Sequence, residues 1–230
     1  MNLAEERSDI VCITAAMAKG TGLDSFARHY PHRFFDVGIA EEHAVTFGGG
    51  LARGGLLPVI CIYSTFMQRA VDQLIHDISL QKLHAVIVLD RAGAVPNDGE
   101  THQGVFDVSF MTSVPGISIY SPASYKELCG CLEATKNAEG PIAIRYPRGS
   151  EDISFDYYKS DFTVFKNDGD IAVVSYGIIS SNVLKAQNAL AKLGTRVDFI
   201  KLNKIFPISE ELIRLLGGYR KVYIFEESII

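Results

Sequence analysis

Four short stretches of this 230-residue chain carry side chains of types that do chemistry. Glu41-Glu42-His43 sets two carboxylates and an imidazole directly after the apolar run "RFFDVG". Tyr63-Ser64-Thr65-Phe66 closes another, "LPVICI". Asp90-Arg91 opens a loop that passes through Asp98 and Gly99 to His102 and Gly104, and Arg145 and Arg148 bracket the end of "IRYPRG". Carboxylates and imidazoles hold and move protons. Paired arginines present forks suited to a phosphate or carboxylate. Each group also has a plain structural role open to it. Glu41 and Glu42 could favour a helix N-terminus through its dipole, His43 could be an ordinary structural histidine, and the arginines could make surface salt bridges. Arg69, Asp72 and His76, spaced i, i+3, i+7, could form a solvated helical face.

The elements that must position these groups can be read from periodicity. Apolar, β-branched runs alternate with helical patterns through Gly149: strands at Ile10 to Ala16, in "RFFDVG", in "LPVICIY", at His84 to Asp90, in "GISIYSP" and in "GPIAIRYP". Between them, "LDSFARHY", "EEHAVTFGGGLARGG", "STFMQRAVDQLIHDISLQ" and "SYKELCGCLEATKN" read as helices, the third with Ser64 or Thr65 as N-cap. Continuous apolar strands are strands buried on both faces. Alternation of this kind predicts an α/β fold, a doubly wound parallel sheet over residues 1–149. Ligands of such sheets sit beyond the carboxyl ends of the strands, and all four constellations fall there. Residues 150–169 read as a linker with some extended structure. A second, smaller α/β pattern covers 170–230, with three strands and two helices, and is expected to be truncated.

Two segments resist the simple pattern. Gly48-Gly49-Gly50 lies inside a helical stretch, where each glycine costs about 1 kcal/mol relative to alanine. Such a run implies close approach, either of a packed neighbour or of a bound molecule. The fourteen-residue loop "RAGAVPNDGETHQG" is long for a connection in a compact domain, and loops of that length are usually functional. Net charge is −5, with no Lys/Arg cluster, so neither nucleic acid nor an anionic membrane surface is an expected partner. No apolar run approaches the roughly 20 residues of a membrane span, and the N-terminus lacks a signal-peptide pattern. Cys12 and Cys61 read as core residues, and Cys129 and Cys131 lack a second pair for a metal site. Together these features predict a reducing, cytoplasmic setting.

The motifs "DVGIAEEHAVTF", "IYSTFMQRAVDQLIHD", "LDRAGAVPNDGETHQGVFD" and "IRYPRG", in this order and spacing, resemble those of the 1-deoxy-D-xylulose-5-phosphate synthases, in the transketolase-like, thiamine-diphosphate-dependent family. The resemblance runs from about Ile10 to Gly149 and more weakly to "FEES". It implies that residues 1–149 are a pyrimidine-binding domain and that 170–230 begin a transketolase C-terminal domain. It implies that Glu41 hydrogen-bonds N1′ of the cofactor's aminopyrimidine, that Phe66 stacks on that ring and that Ile39 of "GIAE" lies beside it. Tyr63 and Arg91 would face the acceptor substrate, Arg148 would hold its phosphate, and Arg69 would assist from further out. Asp98 and His102 would stand near the reacting groups, His102 as a proton carrier. The implied reaction decarboxylates pyruvate and joins the two-carbon unit to D-glyceraldehyde 3-phosphate, and its product feeds isoprenoid precursors, thiamine and pyridoxal. A homodimer is expected.

The chain departs from the family pattern in one large respect. The Gly-Asp-Gly motif that holds Mg²⁺ and the cofactor's diphosphate in the family is not found; "NDGD" at Asn167 to Asp170 lacks the pattern. The resemblance therefore implies a fragment, its Mg²⁺ ligands on an N-terminal domain outside this chain, and no activity in isolation. Glu42 stands where Gln commonly follows the catalytic Glu. Two other readings stay open: the C-terminal chain of a two-chain transketolase-like enzyme with another ketose substrate, and a non-catalytic phosphate-binding α/β module.

Overall fold

A computed structural model describes residues 2–157 and 159–229. Its strands, in chain order, are β1 (Ile10–Thr14), β2 (Phe34–Asp36), β3 (Leu57–Tyr63), β4 (Val86–Asp90), β5 (Ser118–Tyr120), β6 (Ile142–Tyr146), β7 (Phe162–Phe165), β8 (Ile171–Tyr176), β9 (Asp198–Leu202), β10 (Lys204–Phe206) and β11 (Lys221–Phe225). The larger sheet has the order β10-β5-β6-β4-β3-β1-β2. Strands β1 to β6 run parallel, and β10 joins antiparallel at the β5 edge. β1 and β4 are buried at every position, the signature of strands covered on both faces. The second sheet, β11-β8-β9-β7, is parallel except for β7.

Two strands lie outside the elements expected from periodicity. β7 falls within the extended stretch of 150–169 and pairs with β9 from Phe162↔Leu202 to Phe165↔Phe199. β10 leaves the second unit and adds to the first sheet, so the two units share a sheet edge. One apolar cluster accordingly runs from Ile13, Ile60 and Ile87 to Val174, Ile200 and Leu202. A buried ion pair also spans the units: Lys201 Nζ on β9 lies 2.7 Å from Glu127 Oε1, both nearly sealed from solvent. Burial lowers the Lys201 pKa, and the Glu127 charge resists that shift. β11, by contrast, is exposed along its length, with Tyr223, Ile224 and Phe225 uncovered.

The expected helix over 64–81 is not continuous. It consists of an α turn (Ser64–Met67), a 3₁₀ turn, a further α turn (Val71–Gln73) and a π-helical stretch (Leu74–Ser79). Neither Ser64 nor Thr65 is its N-cap. Tyr63 holds that position without a side-chain cap, and the Ser64 hydroxyl is buried with no partner among the described residues. The π-helical stretch packs on the helix Glu41–Arg53, where Thr46 Oγ1 donates to Asp77 Oδ2 at 2.5 Å.

This packing explains the three glycines. A Cβ on Gly48 would stand 2.5 Å from Ile60 Cδ1 of β3, and one on Gly49 would stand 2.8 Å from the Asp77 carbonyl oxygen. At Gly50 nothing lies within 4 Å. Two of the glycines therefore admit neighbours, and the third does not. Gly49→Ala should destabilise the fold by about 1–3 kcal/mol, as expected of overpacking against backbone. Gly50→Ala should leave stability unchanged or raise it by up to about 1 kcal/mol through helix propensity. Urea denaturation of both variants checks the contrast, and equal losses would contradict it.

Candidate active site

The carboxyl ends of β2, β3, β4 and β6 open on one edge of the larger sheet, and the loops leaving them gather the expected residues. Glu41 begins the helix that follows β2. Its side chain is only 3% exposed, so its carboxylate needs a partner at close range. Arg69 supplies one, donating from Nη1 to Glu41 Oε1 at 2.7 Å. Oε2 takes no hydrogen bond among the described residues. Glu42 and His43 are exposed, and His43 stacks on Phe47 at 5.9 Å. Ile39 is 82% exposed on the approach to this helix.

Phe66 lies between these groups and the long loop. Its ring centroid is 5.9 Å from Tyr63, stacked, and 5.3 Å from His102, edge-on. The Arg69 guanidinium sits 5.0 Å from the same centroid. Arg69 thus touches both the carboxylate and the ring that the resemblance assigns to the cofactor, while it stays half exposed on the solvated face it shares with Asp72 and His76. Asp72 meets His76 Nδ1 at 3.0 Å. His102 closes a 3₁₀ turn and contacts Thr101 Oγ1 through Nδ1 at 3.0 Å.

On the other side of Tyr63 lies a cluster of charge. Arg91 Nη2 donates to Tyr63 Oη at 2.8 Å, and its guanidinium lies 3.9 Å from the Tyr63 ring centroid. Arg91 Nη1 binds Asp98 Oδ2, and Arg148 Nη1 reaches Asp98 Oδ1 at 2.6 Å. Partial burial pushes the Asp98 pKa up, but Arg148 and Arg91 outweigh it and leave the group below its ordinary value. The loop returns where Gly93 and Gly104 exchange backbone hydrogen bonds of 2.7 and 2.9 Å. Gly104 admits no side chain, because a Cβ there would stand 2.1 Å from the Arg91 carbonyl oxygen.

Arg145 does not belong to this cluster, contrary to the expectation of an arginine pair. It is 4% exposed and forks onto Asp107, Nε to Oδ2 at 2.9 Å and Nη2 to Oδ1 at 3.1 Å. A buried guanidinium must be matched in this way, and removing one partner of such a pair costs about 3–5 kcal/mol. Arg148 lies beyond the end of β6, paired with Asp98 but 45% exposed. Sequence reasoning also missed contacts from the second unit. Tyr176 Oη donates to Glu226 at 2.5 Å, the Ile229 amide donates to the Val105 carbonyl at 2.9 Å, and a Cβ on Gly93 would meet Glu227 Oε2 at 2.5 Å. The tail after β11 therefore packs on the loop that carries Asp98 and His102. No group of three or more His, Cys, Asp or Glu able to hold a metal ion occurs among the described residues. No helix among them is long and apolar enough to cross a membrane.

Asp90, at the end of β4, is 7% exposed. Burial raises its pKa to about 6, against a hydrogen bond from Tyr146 and the charges of Arg91 and Arg148. Because the folded value lies above the unfolded one, ionising Asp90 destabilises the native state as pH rises from about 4 to 6. Asp90→Asn should flatten that part of the stability profile and relieve a cost of up to about 3 kcal/mol above pH 6. Denaturant titrations between pH 4 and 7 test this, and parallel profiles for the two proteins would refute it.

Comparison with known proteins identifies the family of this fold. The family model for the transketolase pyrimidine-binding domain matches residues 1–152. A 1-deoxy-D-xylulose-5-phosphate synthase of Lachnoclostridium phytofermentans is 42% identical over the whole chain, and one of Clostridium kluyveri is 46% identical over 94% of it. The chain spans 38% and 35% of those two relatives. A solved "Split gene transketolase, inactive beta4 tetramer" is 28% identical with a TM-score of 0.83, covering 99% of this chain and 76% of that one. The transketolase of Campylobacter jejuni shares the fold at 16% identity, with a TM-score of 0.83, over 98% of this chain and 41% of its own. The chain belongs to the transketolase family and carries its pyrimidine-binding domain.

Proposed function

We propose that this chain forms the pyrimidine side and the acceptor side of the active site of a 1-deoxy-D-xylulose-5-phosphate synthase. The observation that carries the reading is the sealed Glu41 carboxylate, with Oε1 tied to Arg69 and Oε2 unengaged, beside the Phe66 ring. That pair fits an aminopyrimidine, which needs a carboxyl group at N1′ and a flat apolar surface. When bound, thiamine diphosphate supplies the electron sink for decarboxylating pyruvate. Glu41 holds the proton shared with N1′, and its dry setting strengthens that hydrogen bond. Phe66 stacks on the ring, and Ile39 borders the entrance. Tyr63 and Arg91 face D-glyceraldehyde 3-phosphate, and Arg148 takes its phosphate. His102, which packs edge-on against Phe66, would carry a proton to or from the reacting carbonyl.

The relatives are longer than this chain, which supports placing the diphosphate and Mg²⁺ ligands on a further segment. The likeness to a split-gene transketolase favours one variant of the reading, in which that segment is a separate polypeptide and this chain is the C-terminal chain of a two-chain enzyme. The uncovered apolar side chains of β11 support self-association, here assigned as a homodimer. Four free thiols, three of them buried, support a reducing, cytoplasmic location. The product would serve isoprenoid, thiamine and pyridoxal synthesis.

Two variants of the assembled enzyme test these roles. Glu41→Ala should abolish turnover while the fold survives. Retention of more than about a tenth of the rate, a loss below about 1.4 kcal/mol, would remove Glu41 from the proposed role. Arg148→Ala should raise the KM for the phosphorylated acceptor, since a charge-assisted contact is worth roughly 1.5–3 kcal/mol. Steady-state kinetics with each substrate varied separately decides it. A change confined to pyruvate would place Arg148 elsewhere.

A further inference from the structure

The position of Asp98 goes beyond this reading while resting on its assignment of Arg91 to the acceptor and of Arg148 to the acceptor's phosphate. Both carboxylate oxygens of Asp98 are spent on those two arginines. The Asp98 and Arg91 side chains are 15% and 16% exposed, so the contact is largely withdrawn from solvent. Arg91 still has a donor to spare, because its Nε is buried and has no partner among the described residues. A carboxylate offers two oxygens in one plane, whereas a phosphate offers three and a second negative charge. The site between the arginines is therefore already filled by an anion of the protein's own, and that anion leaves one donor unmatched.

We propose that Asp98 is an intramolecular stand-in for the acceptor's phosphate and, through that competition, a specificity-determining residue. A ligand gains both arginines only by displacing Asp98. A phosphate dianion can do so because it replaces the two lost contacts and can also satisfy Arg91 Nε. A neutral aldehyde of the same length cannot. The loop is built for a local exchange. Its base is pinned by the Gly93–Gly104 pair and by Gln103, whose side chain bonds both the amide and the carbonyl of Val95. Asp98 sits at the tip, between Asn97 with φ of 63° and Gly99. His102 follows four residues later in the same loop, against Phe66. Exchange of anions is thereby linked to the setting of His102 beside the cofactor position.

Inorganic phosphate is the probe, titrated into the 230-residue chain at low salt and followed by calorimetry. Asp98→Asn should tighten phosphate at least about fivefold, because a charged competitor for two arginine contacts is removed. Adding Arg148→Met to that variant should cancel the gain. In the wild-type chain, the carboxyl ¹³C resonance of Asp98 should shift as phosphate saturates, a readout independent of whether the variants fold. Equal or weaker binding by Asp98→Asn, or an Asp98 resonance that stays fixed while phosphate binds, would overturn the stand-in and leave the anion site intact. Absence of saturable phosphate binding in both proteins would refute the assignment of Arg148 to phosphate, and the stand-in with it.

Discussion

The site depends on one requirement: a carboxylate taken out of water must be answered by charge or hydrogen bonds at contact distance. Glu41 is sealed beneath the strand ends and answered by Arg69. Asp107 is answered by Arg145, Asp98 by Arg91 and Arg148, and Glu127 by Lys201. These four pairings do different work. The buried pair Lys201–Glu127 fastens one unit to the other, and Arg145–Asp107 fixes β6 to the short helix Asp107–Met111 after the long loop. The remaining two lie where ligands are expected. Their charged groups are paired within the protein yet partly open to solvent through Arg69 and Arg148, which are 49% and 45% exposed. A ligand can replace such a partner, whereas it cannot enter the buried pairs.

Much of this arrangement can be read in the chain, for physical reasons. Strands covered on both faces must be apolar throughout, so β1, β3, β4 and β6 announce themselves, and with them the edge where polar groups collect. Gly48 and Gly49 signal close approach, although nothing local says that Ile60 and the Asp77 carbonyl are the neighbours. What stays hidden is non-local. Arg145 and Arg148 look like a pair because they are close in sequence. Strand alternation turns Arg145 inward, and its partner Asp107 lies 38 residues away. "KIF" is too short to show a period, so β10 could not be foreseen. The π-helical stretch keeps a helical pattern of apolar residues, and only its packing against Glu41–Arg53 reveals the altered winding.

The contacts between the tail and the long loop give the second unit a direct part in the site. Glu227 and Ile229 meet Gly93 and Val105, Glu226 is held by Tyr176 of β8, and Glu227 is buried enough for its pKa to rise. The loop bearing Asp98 and His102 is thus held from both units, by the helix turn at Thr65, whose hydroxyl donates to the Thr101 carbonyl at 3.1 Å, and by this tail. Residues far apart in the chain share one loop as their common support, which gives changes in the second unit a route to the residues facing the substrate.

The most direct test of the central claim is a distance. In a crystal structure of the chain assembled with its diphosphate-binding partner and thiamine diphosphate, N1′ of the aminopyrimidine should lie within hydrogen-bond range of Glu41 Oε2, roughly 2.6–3.2 Å. The ring should lie on Phe66. A cofactor whose pyrimidine is seated elsewhere, with Glu41 contacting Arg69 alone, would contradict the account.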